Sequence, residues 1–116
     1  MRDERQFLED IVTAAETISK EMTGITYSEF LQNQTLQRSV LFSFAVIGEA
    51  ANKLSKTTQE AYPEVEWNSI IAFRNIIVHA YFSLNLKTVF SAAKRRVLPL
   101  AEQVKAIIRH DFSGEE

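Results

Sequence analysis

The stretch QTLQRSVLFSFAVIGEAANKL, Gln34 to Leu54, carries apolar residues at steps of three and four. They are Leu36, Val40, Leu41, Phe44, Ile47, Ala51 and Leu54. This spacing places them on one face of an α-helix. The stretch holds one glycine and no proline, so it predicts an unbroken helix whose apolar face packs against neighbouring helices.

Similar apolar stripes on both sides of this stretch predict three more long helices. Their bounds are about Arg2–Met22, Glu66 or Trp67 to His79 or Tyr81, and Leu86–Arg109, the last with a kink at Pro99. Shorter helical pieces are expected in YSEFLQN (27–33) and in SKTTQEAYPEVEW (55–67). Asn85 is predicted to cap the start of the last helix. Residues 111–116 are expected to form a frayed tail.

No segment alternates with the period of two that marks a β-strand. The sequence therefore predicts an all-α fold, with one domain over residues 1–116. We expect an up-and-down bundle of four main helices plus one or two short ones. A chain of 116 residues builds only a modest core, so a surface shared with a second copy would add stability.

Composition excludes several classes of protein. The chain has no cysteine, hence no disulfide and no thiolate metal site. The start, MRDERQFLED, lacks the apolar segment of a signal peptide, and no apolar run approaches the roughly 20 residues of a membrane span. We therefore expect a cytoplasmic protein without a membrane partner.

The net charge of −2 is unevenly distributed along the chain. Residues 1–66 carry 6 basic and 11 acidic residues, a net charge of −5, whereas residues 67–116 carry 7 and 4, a net charge of +3. The basic segment is compatible with a local anion site, although solvated helix faces of ordinary composition give the same balance.

The basic segment includes FRNIIVHAYF, Phe73 to Phe82, which places polar side chains in an apolar run. A histidine such as His79 titrates near neutrality and transfers protons, and the planar fork of Arg74 binds phosphate. Asn75 can orient a water or a ribose hydroxyl. Together these groups suit attack of a ribose 2′-hydroxyl on the adjacent phosphodiester. Two histidines and no clustered carboxylates near the motif predict no metal site.

The spacing of Arg74 and His79 is also compatible with purely structural roles for both residues. Five residues of α-helix separate them by about 140° of rotation. They converge only if the helix ends near His79, if long side chains reach round it, or if a second copy faces the first. In the structural interpretation, the helix dipole stabilises His79 and Arg74 pairs with Glu49.

Three segments resemble one known family. RNIIVHAY, residues 74–81, resembles the R-x-x-x-x-H-x-Y signature of the HEPN superfamily in its HepT-like toxin branch, and VIGEAANKLS (46–55) and YPEVEWNSIIAFRN (62–75) resemble neighbouring blocks of that branch. The resemblance implies an all-helical homodimer that cleaves RNA without a metal or other cofactor and leaves a 2′,3′-cyclic phosphate. It also implies a toxin that a minimal nucleotidyltransferase antitoxin silences by AMPylating the motif tyrosine, within a complex that can be larger than the dimer.

The resemblance assigns a role to each motif residue. Arg74 would bind the phosphate and stabilise the transition state, and His79 would be the general acid/base. Asn75 would support them. Tyr81 would be the AMPylation target and would help to shape the RNA cleft.

Other residues carry weaker assignments. Glu49 and its neighbour Gly48 are expected to be structural, Glu49 as a tether for Arg74 and Gly48 as a site of close helix approach. The cations Lys94, Arg95 and Arg96 have three open interpretations: solvated side chains, a patch that steers RNA, or a contact with an acidic partner.

Two other functions remain open at the level of the sequence. The chain could be a non-catalytic helical module that docks a partner nucleotidyltransferase, which would then carry the chemistry. It could also be a helical oligomer with a structural duty. The polar groups of FRNIIVHAYF argue against the second, because burying them without a role costs free energy.

Overall fold

The structure, a computed structural model, describes residues 3–112 and confirms the all-α prediction: those residues form helices and no strand. Seven α-helices follow one another along the chain, with a 3₁₀ turn at Tyr81–Ser83 between the fifth and sixth. They are α1 Glu4–Glu21, α2 Tyr27–Leu31, α3 Gln34–Lys53, α4 Lys56–Ala61, α5 Trp67–His79, α6 Leu86–Arg95 and α7 Val97–Asp111. None of the helices in this range is both long and apolar enough to cross a membrane.

Side-chain caps fix where the helices begin. The Asn33 carboxamide oxygen accepts a hydrogen bond of 3.0 Å from the Leu36 amide at the start of α3. Asn85, as predicted, caps α6, and its Oδ1 atom accepts from the amides of Lys87 and Thr88. Each cap satisfies N–H groups that have no partner within the helix. The cap at Asn85 also fixes the connection that follows α5.

The long helices pack in the spatial order α7, α1, α3, α5, with α1 and α3 in the middle. The largest fully buried side chains come mainly from the inner faces of α1, α3 and α7, and they include Leu8, Ile11, Ile18, Val40, Ile47, Val104 and Ile107. Burying each contributes about 1.5–3 kcal/mol. In α5, by contrast, only Trp67 is buried. The helix that carries the polar motif therefore lies at the edge of the row, and its main packing partner among the long helices is α3.

The single helix predicted over Leu86–Arg109 is wrong, because the chain forms two helices that meet at Arg96. Pro99 explains the break. In a continuous helix its ring would collide with the carbonyl of Arg95 four residues earlier, and it has no N–H to donate. The chain restarts at Val97, so Pro99 falls in the first turn of α7, where an N–H needs no helical partner. The predicted kink at Pro99 is therefore a boundary between two helices at Arg96, three residues earlier.

The C-terminal end of α7 is tied to the connection before α5. Asp111, predicted to lie in a frayed tail, is the last residue of the helix, and its Oδ2 atom accepts a hydrogen bond of 2.6 Å from the Tyr62 hydroxyl. His110 Nδ1 lies 3.0 Å from the same hydroxyl. The remainder of the predicted tail, 113–116, and the predicted helix start at Arg2 lie outside the described residues.

Because of this hydrogen bond, the stability of the folded protein depends on pH in the alkaline range. Donation to Asp111 raises the pKa of Tyr62 to about 12, whereas the unfolded chain has a value of about 10. The unfolded state therefore loses its proton first, and stability falls as pH rises from about 10 to about 12. We expect Tyr62→Phe to lower the melting temperature at pH 7 and the difference from wild type to shrink across that window. A difference that stays constant from pH 7 to 12 would contradict the assignment.

Candidate active site

Helix α5 presents the predicted site residues on different sides. Arg74 turns toward α3, where its side chain is 25% exposed, whereas Asn75 and His79 lie on the exposed surface. Since Arg74 and His79 are five residues apart within one unbroken helix, their directions differ by about 140°. One copy of the chain therefore does not bring Arg74 and His79 together on a single face.

A glycine allows α5 to approach α3 closely at Arg74. A Cβ atom built on Gly48 would overlap Arg74 Cβ, and it would lie 2.8 Å from Arg74 Cγ and 3.1 Å from the Ile70 carbonyl oxygen. Neither the backbone oxygen nor the base of the arginine side chain can move without shifting α5. Gly48 thus sets the distance between the helices and the position from which Arg74 extends.

We expect Gly48→Ala to destabilise the protein even though alanine is the better helix former. Overpacking costs about 1–3 kcal/mol, and the helix propensity of alanine offsets about 0.5–1 kcal/mol of it. Thermal unfolding should show a fall of several degrees in the melting temperature, together with reduced activity because Arg74 is displaced. Asn52→Ala, at an exposed position of the same helix, is the matched control. Equal melting temperatures for the two variants would show that the contact is not tight.

Two side chains hold the Arg74 guanidinium. Its Nη2 atom lies 2.9 Å from Glu49 Oε1, and its Nη1 atom donates a hydrogen bond of 2.9 Å to Asn75 Oδ1. The ion pair with Glu49 is the one expected from the sequence, and Asn75 adds a second anchor. A guanidinium has five N–H donors. These two contacts therefore orient Arg74 and leave donors for an anion at its exposed edge.

His79 is the last residue of α5, and its side chain is exposed. Among residues 3–112, no side chain forms a hydrogen bond or ion pair with the imidazole. The imidazole is accordingly accessible to a substrate and able to exchange protons with it.

Tyr81 follows one residue after the helix ends. It opens the 3₁₀ turn and is 47% exposed, with its ring edge-to-face against Phe82 at a centroid distance of 5.6 Å. Helix α5 adds exposed aliphatic side chains, with Ile76 42% and Val78 50% accessible. In the sequence both Val78 and Phe82 belong to the apolar run FRNIIVHAYF, which does not show that Phe82 is fully exposed. The end of α5 is therefore an open surface with histidine, tyrosine and apolar groups together.

The three predicted cations make different contacts. Lys94 Nζ donates a hydrogen bond of 2.7 Å to the Met22 carbonyl at the end of α1, and the residue is exposed. Arg96 pairs with Glu66 at 3.1 Å. Arg95 and Arg96 line a groove of about 760 Å³ between α5 and the α6–α7 corner, whose lining includes neither Arg74 nor His79. RNA steering by Lys94, Arg95 and Arg96 stays a prediction.

No group of three or more potential metal ligands occurs within residues 3–112.

The fold and the site together define a class: small all-helical proteins that present an arginine and a histidine from one edge helix. The chain matches the family described as Ribonuclease HepT-like over residues 11–107. It belongs to the HepT-like ribonuclease family. The predicted family and the predicted enzyme class, an endoribonuclease, are thereby confirmed.

Three relatives match over most of their own length. "Putative RNase TTE0752" of Caldanaerobacter subterraneus subsp. tengcongensis is 29% identical over 111 residues, which cover 96% of this chain and 99% of that protein. "Putative RNase MJ1216" of Methanocaldococcus jannaschii is 30% identical over 99% and 94% of the two chains. "Probable ribonuclease HepT" of Thermococcus cleftensis is 27% identical over 83% and 87%. No solved structure gives a significant match.

Proposed function

We propose that this protein is a metal-independent endoribonuclease toxin that acts as a homodimer, with Arg74 and His79 as its catalytic residues. It cleaves RNA through attack of the ribose 2′-hydroxyl and leaves a 2′,3′-cyclic phosphate. The observation that carries the proposal is the exposed imidazole at the end of α5, on the same helix as an arginine that two side chains hold in place. The family membership of the chain supports the choice of RNA as substrate.

The reaction is one displacement at phosphorus. The 2′ oxygen forms a bond to the phosphorus, and the bond from phosphorus to the 5′ oxygen of the next nucleotide breaks. A neutral His79 imidazole accepts the proton of the 2′-hydroxyl, and a protonated imidazole supplies the proton that the leaving 5′ oxygen needs. The Arg74 guanidinium binds the non-bridging oxygens, on which negative charge increases in the transition state. The imidazolium formed by the first transfer supplies the proton for the second, so one His79 acts as base and then as acid at each site.

The surface of α5 and α3 supports a dimer. In α5, whose sequence WNSIIAFRNIIVH is largely apolar, only Trp67 is buried within one copy. Phe42 is 71% exposed, and it lies seven residues before Glu49 and so on the same face of α3. Exposed apolar groups that cluster in this way are typical of a protein interface. We assign the face that includes Phe42 on α3 and Val78, which lies about 40° from Arg74 around α5, to the second copy.

A two-fold interface resolves the separation of Arg74 and His79. In such an interface each surface meets its own copy, so an arginine from one chain approaches groups from the other. Each site then takes Arg74 from one chain and His79 from the other, and the 140° between the side chains within each helix no longer keeps them apart. Glu49 has a positioning role in this arrangement, because it holds Arg74 at the cleft.

Regulation by a partner follows from the exposure of Tyr81. We propose that a minimal nucleotidyltransferase antitoxin transfers AMP to its hydroxyl: the phenolic oxygen attacks the α-phosphorus of ATP, and pyrophosphate leaves with its bond electrons. At 47% exposure the ring is accessible to such an enzyme. The added nucleotide would place a bulky anion two residues from His79 and exclude RNA from the cleft. The toxin and antitoxin could then form an assembly larger than the dimer.

The direct test incubates the protein, after removal of metals with EDTA, with a defined single-stranded RNA. Mass spectrometry of the fragments reads the new ends. We expect 2′,3′-cyclic phosphate ends that persist in EDTA and are absent when every ribose 2′ oxygen is methylated. Activity that requires an added divalent metal would overturn the mechanism. A dimer that cleaves no RNA but binds a nucleotidyltransferase stably would favour the docking module instead, provided that the intact mass shows unmodified Tyr81.

A further inference from the structure

The side chain of Phe82 is 100% exposed, in the 3₁₀ turn that follows α5. A phenyl ring with no contact to the core adds nothing to the burial of apolar surface, so its place in the turn needs another reason. The neighbouring Tyr81 ring meets it edge to face at 5.6 Å and 82°. Such a pair is a favoured aromatic geometry and restricts the orientation of the Phe82 ring.

The backbone on both sides holds this ring in a defined place. The Ala80 amide donates to the Ile76 carbonyl at 2.8 Å, and the Ser83 amide donates to the Ala80 carbonyl at 2.8 Å. Leu84 packs against the core, and Asn85 caps the next helix. Phe82 is therefore an exposed aromatic on an anchored turn, a pre-organised platform that pays little ordering entropy when it binds a partner.

The position of the turn indicates what that partner is. Phe82 lies three residues after His79, so their Cα atoms are at most about 11 Å apart. A phosphodiester that reacts at His79 brings its flanking nucleotides within this distance. Single-stranded RNA is commonly bound by stacking its bases on aromatic side chains close to cationic groups. Lys87, in the first turn of α6, supplies such a group a few residues further on.

We infer that Phe82 stacks on a base of the single-stranded RNA that flanks the scissile phosphate, and that it is a substrate-binding residue of this enzyme. The inference rests on the proposed ribonuclease function. A flat ring recognises any base through its π-face, so Phe82 contributes affinity and selects unpaired RNA over duplex RNA, whose bases are already stacked. It takes no part in proton transfer.

Binding can be measured apart from cleavage with a single-stranded RNA that is methylated at every ribose 2′ oxygen. We expect Phe82→Ala to weaken its binding by about 5- to 150-fold, Phe82→Leu to weaken it nearly as much, and Phe82→Trp to retain it. The Phe82→Trp variant should also show fluorescence quenching when this RNA binds. Wild type, whose only tryptophan is 5% exposed, should show little. Leu98→Ala, at another exposed apolar position, is the control and should bind as wild type does.

Cleavage assays separate failure of this inference from failure of the proposed function. On cleavable RNA, Phe82→Ala should raise KM with little change in kcat. If wild type cleaves RNA and the Phe82→Ala variant has the same KM and the same affinity for RNA, the role of Phe82 is overturned but the proposed function is not. A Phe82→Ala variant that no longer dimerises would also overturn it, by assigning the ring to the interface. A wild-type protein that neither binds nor cleaves RNA would overturn the proposed function as well.

Discussion

Replacing His79 by alanine is expected to reduce RNA cleavage by about 10²–10⁴-fold, the usual contribution of a positioned general acid or base. In the proposed mechanism His79 both accepts the proton of the 2′-hydroxyl and supplies the proton to the leaving oxygen, so the upper part of that range is expected. The fold should be unchanged, because the imidazole is exposed and forms no hydrogen bond or ion pair among residues 3–112. Rates from single-turnover reactions on a defined RNA would measure the loss.

The chain provides its own control for this experiment. His110, the other histidine, is also exposed and lies near the end of α7, where it contacts Tyr62 and Asp111. His110→Ala should cleave RNA at the wild-type rate, although its stability could differ slightly. Equal activity of His79→Ala and wild type, with both proteins dimeric, would remove His79 from the mechanism. Equal losses in both histidine variants would indicate a general effect on the protein.

Much of the fold could be predicted from periodicity because α1, α3 and α7 each bury one stripe. The bounds of α3 agree with the sequence to within one residue, and the cap at Asn85 was visible in the sequence. The break at Arg96 was missed because the apolar stripe continues across it. The stripe shows which side of a helix is apolar, whereas the clash between the Pro99 ring and the Arg95 carbonyl decides where the helix ends.

The site was less predictable because exposure depends on distant parts of the chain. Ile76 and Val78 belong to an apolar run and look like core, yet no helix of the same copy covers them. Lys94 is exposed, yet its Nζ atom donates a hydrogen bond to a carbonyl at the C-terminal end of α1, 72 residues away in the sequence, which no local pattern predicts. Local sequence identified the residues that carry the chemistry. It could not tell which of their neighbours face solvent.

Mixing two inactive variants is expected to restore activity. Neither Arg74→Ala nor His79→Ala has a complete set of catalytic groups, and each should be inactive alone. In a two-fold dimer whose sites take Arg74 from one chain and His79 from the other, a mixed dimer contains one site with both residues and one with neither. Random pairing makes about half of the dimers mixed, so total activity should return to about a quarter of the wild-type value.

This recovery depends on which chain supplies each residue, so it tests the geometry directly. If both residues of a site came from the same chain, every site in the mixed dimer would lack one of them and activity would stay at the level of the single variants. Differently tagged chains, co-expressed and purified by both tags, give pure mixed dimers, for which the expected activity is about half that of wild type. Size-exclusion chromatography with light scattering must show dimers in each sample. If dimers form without recovery of activity, Arg74 and His79 of the same chain belong to one site. The end of α5 at His79 would then have to turn the imidazole back toward Arg74, against the 140° that separates the two side chains along the helix.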